Sequence, residues 1–535
     1  MPDSSLDRRD FLRLGAAFTA AGLVPREFLA SPSAQANLEE AGVFDLSTRI
    51  ASGELTARSL TEQYLQRIES IDRAGPKINC VLETNPAALE IADRLDADRR
   101  AGRLRGRMHG IPVLIKDNIG TADKMQTTAG SLALLDARPA ADSHIAARLR
   151  EAGCVIIGKT NLSEWANFRS SHSTSGWSGR GGLCRNPYAL DRNTSGSSSG
   201  SGGAGAAALA TVTVGTETDG SIVSPSNSCG LVGLKPTIGL VSRTGIIPIS
   251  HTQDTSGPMT RSVYDAAALL TVLAGSDPKD TSTARADIQR SRDYTSFLKN
   301  EKLTGVRIGV VREQLMGYST HADRIAEDAI KALKELGAII VDPVKPPAAM
   351  GNELGKAEFE VMLYEFKAGL EAYFAGVNAP VKTLADLHEF NEKNRDREMP
   401  YFGQETVAMA MKKGPLTTPA YRTALAKCRR IARAEGIDLM MRTHRLDALF
   451  APTGTPAWVT DLVNGDSPGG GSSTLAAVAG YPHITVPAGM AMGLPVGVSF
   501  FGRAWSEPVL LRIAYAFEQA TKARRAPKYL ASASL

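Results

Sequence analysis

Short apolar runs alternate with segments of three- and four-residue spacing along most of the chain, a pattern that predicts an α/β architecture. Residues 111–118 (IPVLIKDN) read as a buried strand that carries Lys116 at its end, bounded by Gly110 and a polar pair. A second strand is predicted at 154–157, after a helical stretch at 143–152. Further strand-like runs fall at 211–214, 230–236, 239–248, 306–311, 338–341, 448–450, 483–486 and 496–500. Helical spacing fills 38–101 (Leu60, Tyr64, Ile68, Ile71), 262–274, 326–336 and 508–520. Residues 352–436 show helical spacing without a strand (Phe359, Met362, Leu363, Phe366), which predicts a helical insertion or lid. Residues 165–188, dense in Gly, Ser and Arg, read as loop.

The amino terminus differs in kind. Asp7-Arg8-Arg9-Asp10-Phe11-Leu12-Arg13 carries a twin arginine, and an apolar run at 14–24 and Ala34-Gln35-Ala36 follow it. These ordered features predict a twin-arginine export signal over residues 1–36, a mature chain of 37–535 and a periplasmic location. The apolar run is too short for a stable membrane anchor. The 535 residues carry a net charge of +5, from 61 basic and 56 acidic side chains without blocks of one sign, so no nucleic-acid partner is expected. Five cysteines without a C-x-x-C pair and eight scattered histidines predict no metal site. The odd cysteine count leaves disulfide pairing open.

Residues 194–225 (TSGSSSGSGGAGAAALATVTVGTETDGSIVSP) concentrate the candidate chemistry. A Ser/Gly-rich stretch is usually a flexible linker. This one runs directly into a small-residue helix former at 204–210 and a strand, and so reads equally well as a loop presenting N–H groups and hydroxyls to a reacting centre. Two familiar motifs here mislead. Residues 153–160 (GCVIIGKT) match the nucleotide-binding loop by letter, but Cys-Val-Ile-Ile is itself the strand instead of a loop following one. Residues 196–200 (GSSSG) match the nucleophile elbow of a Ser-His-Asp hydrolase, with Ser198 as nucleophile and His251 or His483 as base. Such an elbow needs a strand immediately before it, and residues 186–193 (NPYALDRN) are a polar turn.

Taken together, GIPVLIKDNI around Lys116, GKTNLSEWANF, GSSSGSGG, GTETDGSIVSP, GLKPT, QDTSGPMTRSV and the late GLPVGVSFFG resemble the amidase signature family in order, from about residue 38 to the end. The resemblance implies one α/β domain, a central mixed sheet covered by helices, and amide hydrolysis by a Ser, cis-Ser and Lys triad, with no cofactor. It makes Ser221 the nucleophile, Ser197 the bridging serine on a cis peptide after Gly196, and Lys116 the base. The oxyanion would rest on backbone N–H groups of Thr218, Asp219, Gly220 and Ser221. The chain departs from the common pattern at Asp219, where glycine is usual, and at Val223, where arginine is usual. With SEWANF, TETDGSIV and YFGQE (401–405), these departures make it most similar to bacterial peptide amidases, which release ammonia from the C-terminal amide of peptides. A small aliphatic or aryl amide as substrate, esterase side activity, and a catalytically inactive peptide-binding protein are the alternatives. Oligomeric state is not readable from the sequence.

Overall fold

A computed structural model describes residues 37–299 and 302–534, so the export signal expected at 1–36 lies outside the described residues. Its strands are β1 (Val81–Thr84), β2 (Pro112–Lys116), β3 (Val155–Thr160), β4 (Trp177–Ser178), β5 (Gly182–Leu183), β6 (Val212–Glu217), β7 (Val232–Lys235), β8 (Thr255–Thr260), β9 (Arg307–Val310), β10 (Ile339–Val341), β11 (Ala448–Pro452), β12 (His483–Ala491) and β13 (Leu494–Phe501). Eleven of them form one sheet in the order β1-β3-β2-β6-β8-β7-β12-β13-β11-β9-β10, and β4 pairs with β5 in a separate ribbon. β3, β2 and β6 run parallel, β6 through β11 pair antiparallel, and β11, β9 and β10 are parallel again. The result is a single-domain mixed sheet with helical cover, as the family resemblance implies.

The apolar runs become the central strands because they are buried on both faces: every residue of β2, β3, β6, β7 and β8 is buried. Two strands of the main sheet lie outside the predicted set, as do both strands of the small ribbon. β1 interrupts the helical stretch assigned to 38–101, and β8 (TSGPMT) lacks an apolar run altogether. Gly257 explains its place: a Cβ there would stand 2.1 Å from the Leu234 carbonyl oxygen, so backbones meet where side chains would block them. The run at 239–248 forms turns and isolated bridges instead of a strand.

The Ser/Gly-rich stretch is the main correction. It is a fully buried helix, Ser199–Ala206, and the helix begins earlier than the alanines at 204–210 suggest. Its glycines serve close approach: a Cβ on Gly200 would lie 2.4 Å from the Cys80 carbonyl oxygen and 2.5 Å from Asn161 N, and one on Gly203 2.3 Å from Cys80 Sγ. Ser201 ties the helix to the sheet, donating to Val214 O at 3.0 Å and meeting Thr160 Oγ1 at 2.8 Å.

Residues 352–436 contain the helices Asn352–Gly376, Leu384–Lys393, Glu405–Met411 and Pro419–Arg429. Leu363, Phe366, Leu370 and Phe374 of the first pack with Trp165, Phe168 and Ile247, forming an apolar cluster of their own beside the main core. Arg169 fastens this cover: its guanidinium bonds Glu164 at 2.6 Å and the main-chain oxygens of Glu398 and Phe402, and lies over the Phe402 ring.

Candidate active site

The parallel β2 and β6 bring Lys116 beside Thr216. Lys116 is fully buried at the end of an apolar strand, and its Nζ donates to Ser197 Oγ at 2.8 Å, Thr216 Oγ1 at 2.9 Å and Ser198 Oγ at 3.0 Å. No carboxylate bonds it, so burial dominates and lowers its pKa to about 7, against a smaller upward pull from Asp254 and Glu217. Lys159 and Lys235 are equally buried and lowered to about 8. They face other groups: Lys159, from the misleading nucleotide-loop motif, sits within β3 and donates to Ile119 O at 2.6 Å.

The Gly196-Ser197 peptide is cis. Ser197 O accepts from Ser163 N at 3.0 Å, and a Cβ on Gly196 would lie 2.3 Å from Ser163 Oγ, so only glycine fits before the serine. Ser198 N donates to Ser221 O at 3.3 Å, and Ser195 Oγ meets Ser224 Oγ at 2.8 Å. The two serine segments, 24 positions apart in sequence, therefore touch directly.

The elbow alternative is overturned by the same geometry. Ser198 Oγ is engaged by Lys116, donates to Thr216 O at 3.0 Å and accepts from Thr216 N at 3.2 Å. Neither histidine is near it: His251 is exposed and pairs with Glu365 at 3.5 Å, and His483 meets Ser499 Oγ at 2.6 Å within β12. Burial lowers the His483 pKa to about 3.

Ser221 is 8% exposed, and its hydroxyl has no hydrogen-bond partner among the described residues. In the turn before it, the backbone N–H groups of Thr218, Asp219, Gly220 and Ser221 donate to no protein acceptor among the described residues, with Gly220 at φ +80°. The surrounding side chains hold this turn open. Glu217 accepts the next two N–H groups, Ile222 at 2.8 Å and Val223 at 3.1 Å. Asp254 accepts from Thr218 Oγ1 at 2.6 Å and Asp219 from Thr474 Oγ1 at 2.7 Å. Gln253 spans Glu358 Oε1 at 2.8 Å and Thr218 O at 3.4 Å. Burial raises the pKa values of both the Asp219 and the Glu358 carboxyls, and the Asp219 charge raises that of Glu358 further, so the pair keeps a proton where isolated carboxyls would lose theirs.

Sequence reasoning singles out Lys116, Ser197 and Ser221 and does not name the groups around them. Thr216, Glu217 and the Gln253-Asp254 pair lie inside motifs quoted for the resemblance, yet only the fold shows what they touch. Glu358 and Thr474 sit in segments without any motif. Among the described residues no group of three or more His, Cys, Asp or Glu side chains is placed to hold a metal ion.

The Amidase family model matches residues 59–511. The native peptide amidase from Stenotrophomonas maltophilia superposes with a TM-score of 0.88 at 52% identity, covering 92% of this chain and 99% of that one. An amidase family protein from Bacillus anthracis superposes with a TM-score of 0.82 at 37% identity, covering 92% of this chain and 93% of that one. A probable amidase of Arabidopsis thaliana is 40% identical over 92% of this chain and 93% of its own length.

Proposed function

The chain belongs to the amidase family, a serine amidohydrolase cleaving amide C–N bonds, and from that premise we propose that it removes the C-terminal amide of peptides with release of ammonia, using Ser221, Ser197 and Lys116. The observation that carries the triad is the 2.8 Å contact between Lys116 Nζ and Ser197 Oγ in a site with no carboxylate on the lysine. The 52% identity to a peptide amidase supports the substrate.

A serine hydroxyl attacks a carbonyl carbon only as its proton is removed. Lysine accepts that proton only when neutral, and burial supplies the neutral form near pH 7. The Ser221 proton passes to Ser197 Oγ as the Ser197 proton passes to Lys116 Nζ. The tetrahedral oxyanion rests on the unoccupied N–H groups of 218–221, where a lost donor typically costs about 2.7–4 kcal/mol. On collapse the C–N bond breaks, the proton returns along the same chain to nitrogen, and ammonia leaves. Water then hydrolyses the Ser221 ester, activated by the same base.

The test is ammonia release from amidated peptides and small primary amides by wild type and Ser221→Ala. Activity retained in Ser221→Ala refutes the nucleophile, and a strong preference for small amides refutes the peptide substrate while leaving the triad standing. Export to the periplasm through residues 1–36 is part of the same proposal, and fractionation of cells producing the full chain tests it.

A further inference from the structure

All five cysteines are buried and unbridged, and two of them meet: Cys80 Sγ lies 2.9 Å from Cys184 Sγ, although 104 positions separate them along the chain. Cys80 stands immediately before β1 and Cys184 immediately after β5, so the contact joins the edge of the main sheet to the small ribbon. Hydrogen bonds hold the two segments side by side. Arg185 N donates to Ile78 O at 2.7 Å, Asn79 Nδ2 to Leu183 O at 3.0 Å, and Asn161 Nδ2 to Asn79 O at 3.3 Å and Gly182 O at 3.1 Å. Gly203 leaves the space that sulfur fills: a Cβ there would lie 2.3 Å from Cys80 Sγ and 3.7 Å from Cys184 Sγ.

Among the described residues no other two thiols are in contact. Cys229, against Gly202 of the same helix, has its Sγ 3.8 Å from Thr194 O instead. No third metal-ligating side chain joins the pair among the described residues. Sulfur atoms already in contact, on segments held in register, need only small side-chain rotations to bond. A way in exists. A cavity of about 480 Å³ is lined by Asn79, Leu183 and Arg185, the chain neighbours of the two cysteines. The ribbon that precedes Cys184 pairs only two residues per strand, an element that opens locally at small cost. While the pair is closed off, burial and the neighbouring Cys184 push the Cys80 thiol well above its usual pKa, so it is unreactive until the ribbon opens.

We propose that Cys80 and Cys184 form a modification site, closed into an intramolecular disulfide by exchange with a small external disulfide such as oxidised glutathione. One thiolate attacks the external disulfide, giving a mixed disulfide and releasing a thiol. The second thiolate attacks the protein sulfur of that mixed disulfide, the Cys80–Cys184 bond forms, and a second external thiol leaves. The two cysteines lose two protons and two electrons, and the external disulfide gains them. The bridge closes a loop of 104 positions that contains Lys116, and it fixes the segment whose Cys80 carbonyl oxygen packs against Gly200. It moves none of the reacting groups, so its effect is on stability. The inference stands apart from both the substrate and the export readings.

Thiol counting on the purified full chain tests it. The reduced protein is exposed to oxidised glutathione, once in native buffer and once during refolding from urea, and is then alkylated in denaturant. The reduced chain takes five alkyl groups; the oxidised chain should take three and yield, on proteolysis, one peptide pair joining Cys80 to Cys184. Five groups after both treatments, glutathione retained on a single cysteine, or a link through Cys229 overturns the inference. The oxidised wild type should melt about 5 °C above the reduced form, as expected for a bridge closing so long a loop. Cys184→Ala should show no such difference, and equal Tm values in wild type overturn the stabilising role. Neither thiol count nor Tm depends on which amide the enzyme cleaves, so failure of the peptide-amide reading leaves this test untouched.

Discussion

Lys116 Nζ lies 2.8 Å from Ser197 Oγ, and every other hydrogen bond it makes goes to a neutral oxygen. A lysine so placed has lost water without gaining a counter-ion, which is why its pKa falls to about 7. In the proposed triad the neutral form is the base, so kcat/KM should rise with pH through about 7 and then level. A profile flat across that range would separate the lysine from proton transfer. Lys116→Ala should lower kcat by ~10²–10⁴, the usual worth of a general base, and Lys116→Arg, which stays charged, should not restore it.

Ser198→Ala separates the two serines of the upstream segment. Ser198 braces Lys116 and Thr216 and meets neither histidine, so its loss should cost about tenfold in kcat or less, through the lost bracing. Loss equal to that of Ser221→Ala, measured as ammonia release, would restore the elbow.

Glu217→Ala removes the acceptor of two buried N–H groups just past the nucleophile. We expect a stability loss of about 1–3 kcal/mol by urea unfolding, since unsatisfied buried donors keep their desolvation cost. A drop in kcat should accompany it as the 218–221 turn loosens. Unchanged kcat in a folded variant would separate the turn from catalysis.

The Asp219–Glu358 pair makes stability pH-dependent. Burial raises both folded pKa values above those of the unfolded chain, so the folded state holds protons that the unfolded chain has released. The stabilisation from the shared proton is complete at acid pH, below the unfolded values, and is lost as pH rises through the folded ones. Other groups facing the pair, Lys235, Gln253 and Thr474, do not replace that proton. Glu358→Gln should therefore show a smaller fall in Tm than wild type as pH rises above the ordinary carboxylate range. An equal or steeper fall would mean that the pair does not hold the proton.

Gly200→Ala tests the buried helix. The new methyl would press on backbone atoms of Cys80 and Asn161, which have nowhere to retreat, and should cost about 1–3 kcal/mol or more in unfolding free energy. A flexible linker would tolerate the change without loss.

What the sequence could show follows from where the information is local. Lys116 is legible because a four-residue apolar run can end buried only by carrying its last side chain inward. Ser197 and Ser221 are legible through contiguous motifs. The Ser199–Ala206 helix is not, because its composition signals flexibility and only the proximity of Cys80 and Asn161 reveals that small size is the requirement. β8 is hidden for the same reason at Gly257. Glu358 and Thr474 reach the nucleophile turn from distant segments, 139 and 255 positions away by pairing with Asp219, and no local pattern encodes such meetings.

The direct bonds from Ser198 N to Ser221 O and between the Ser195 and Ser224 hydroxyls join both reacting segments into one rigid body. Neither serine can swing away without carrying the other. The 195–198 and 221–224 segments therefore move together, and a change in the backbone of one is carried into the other.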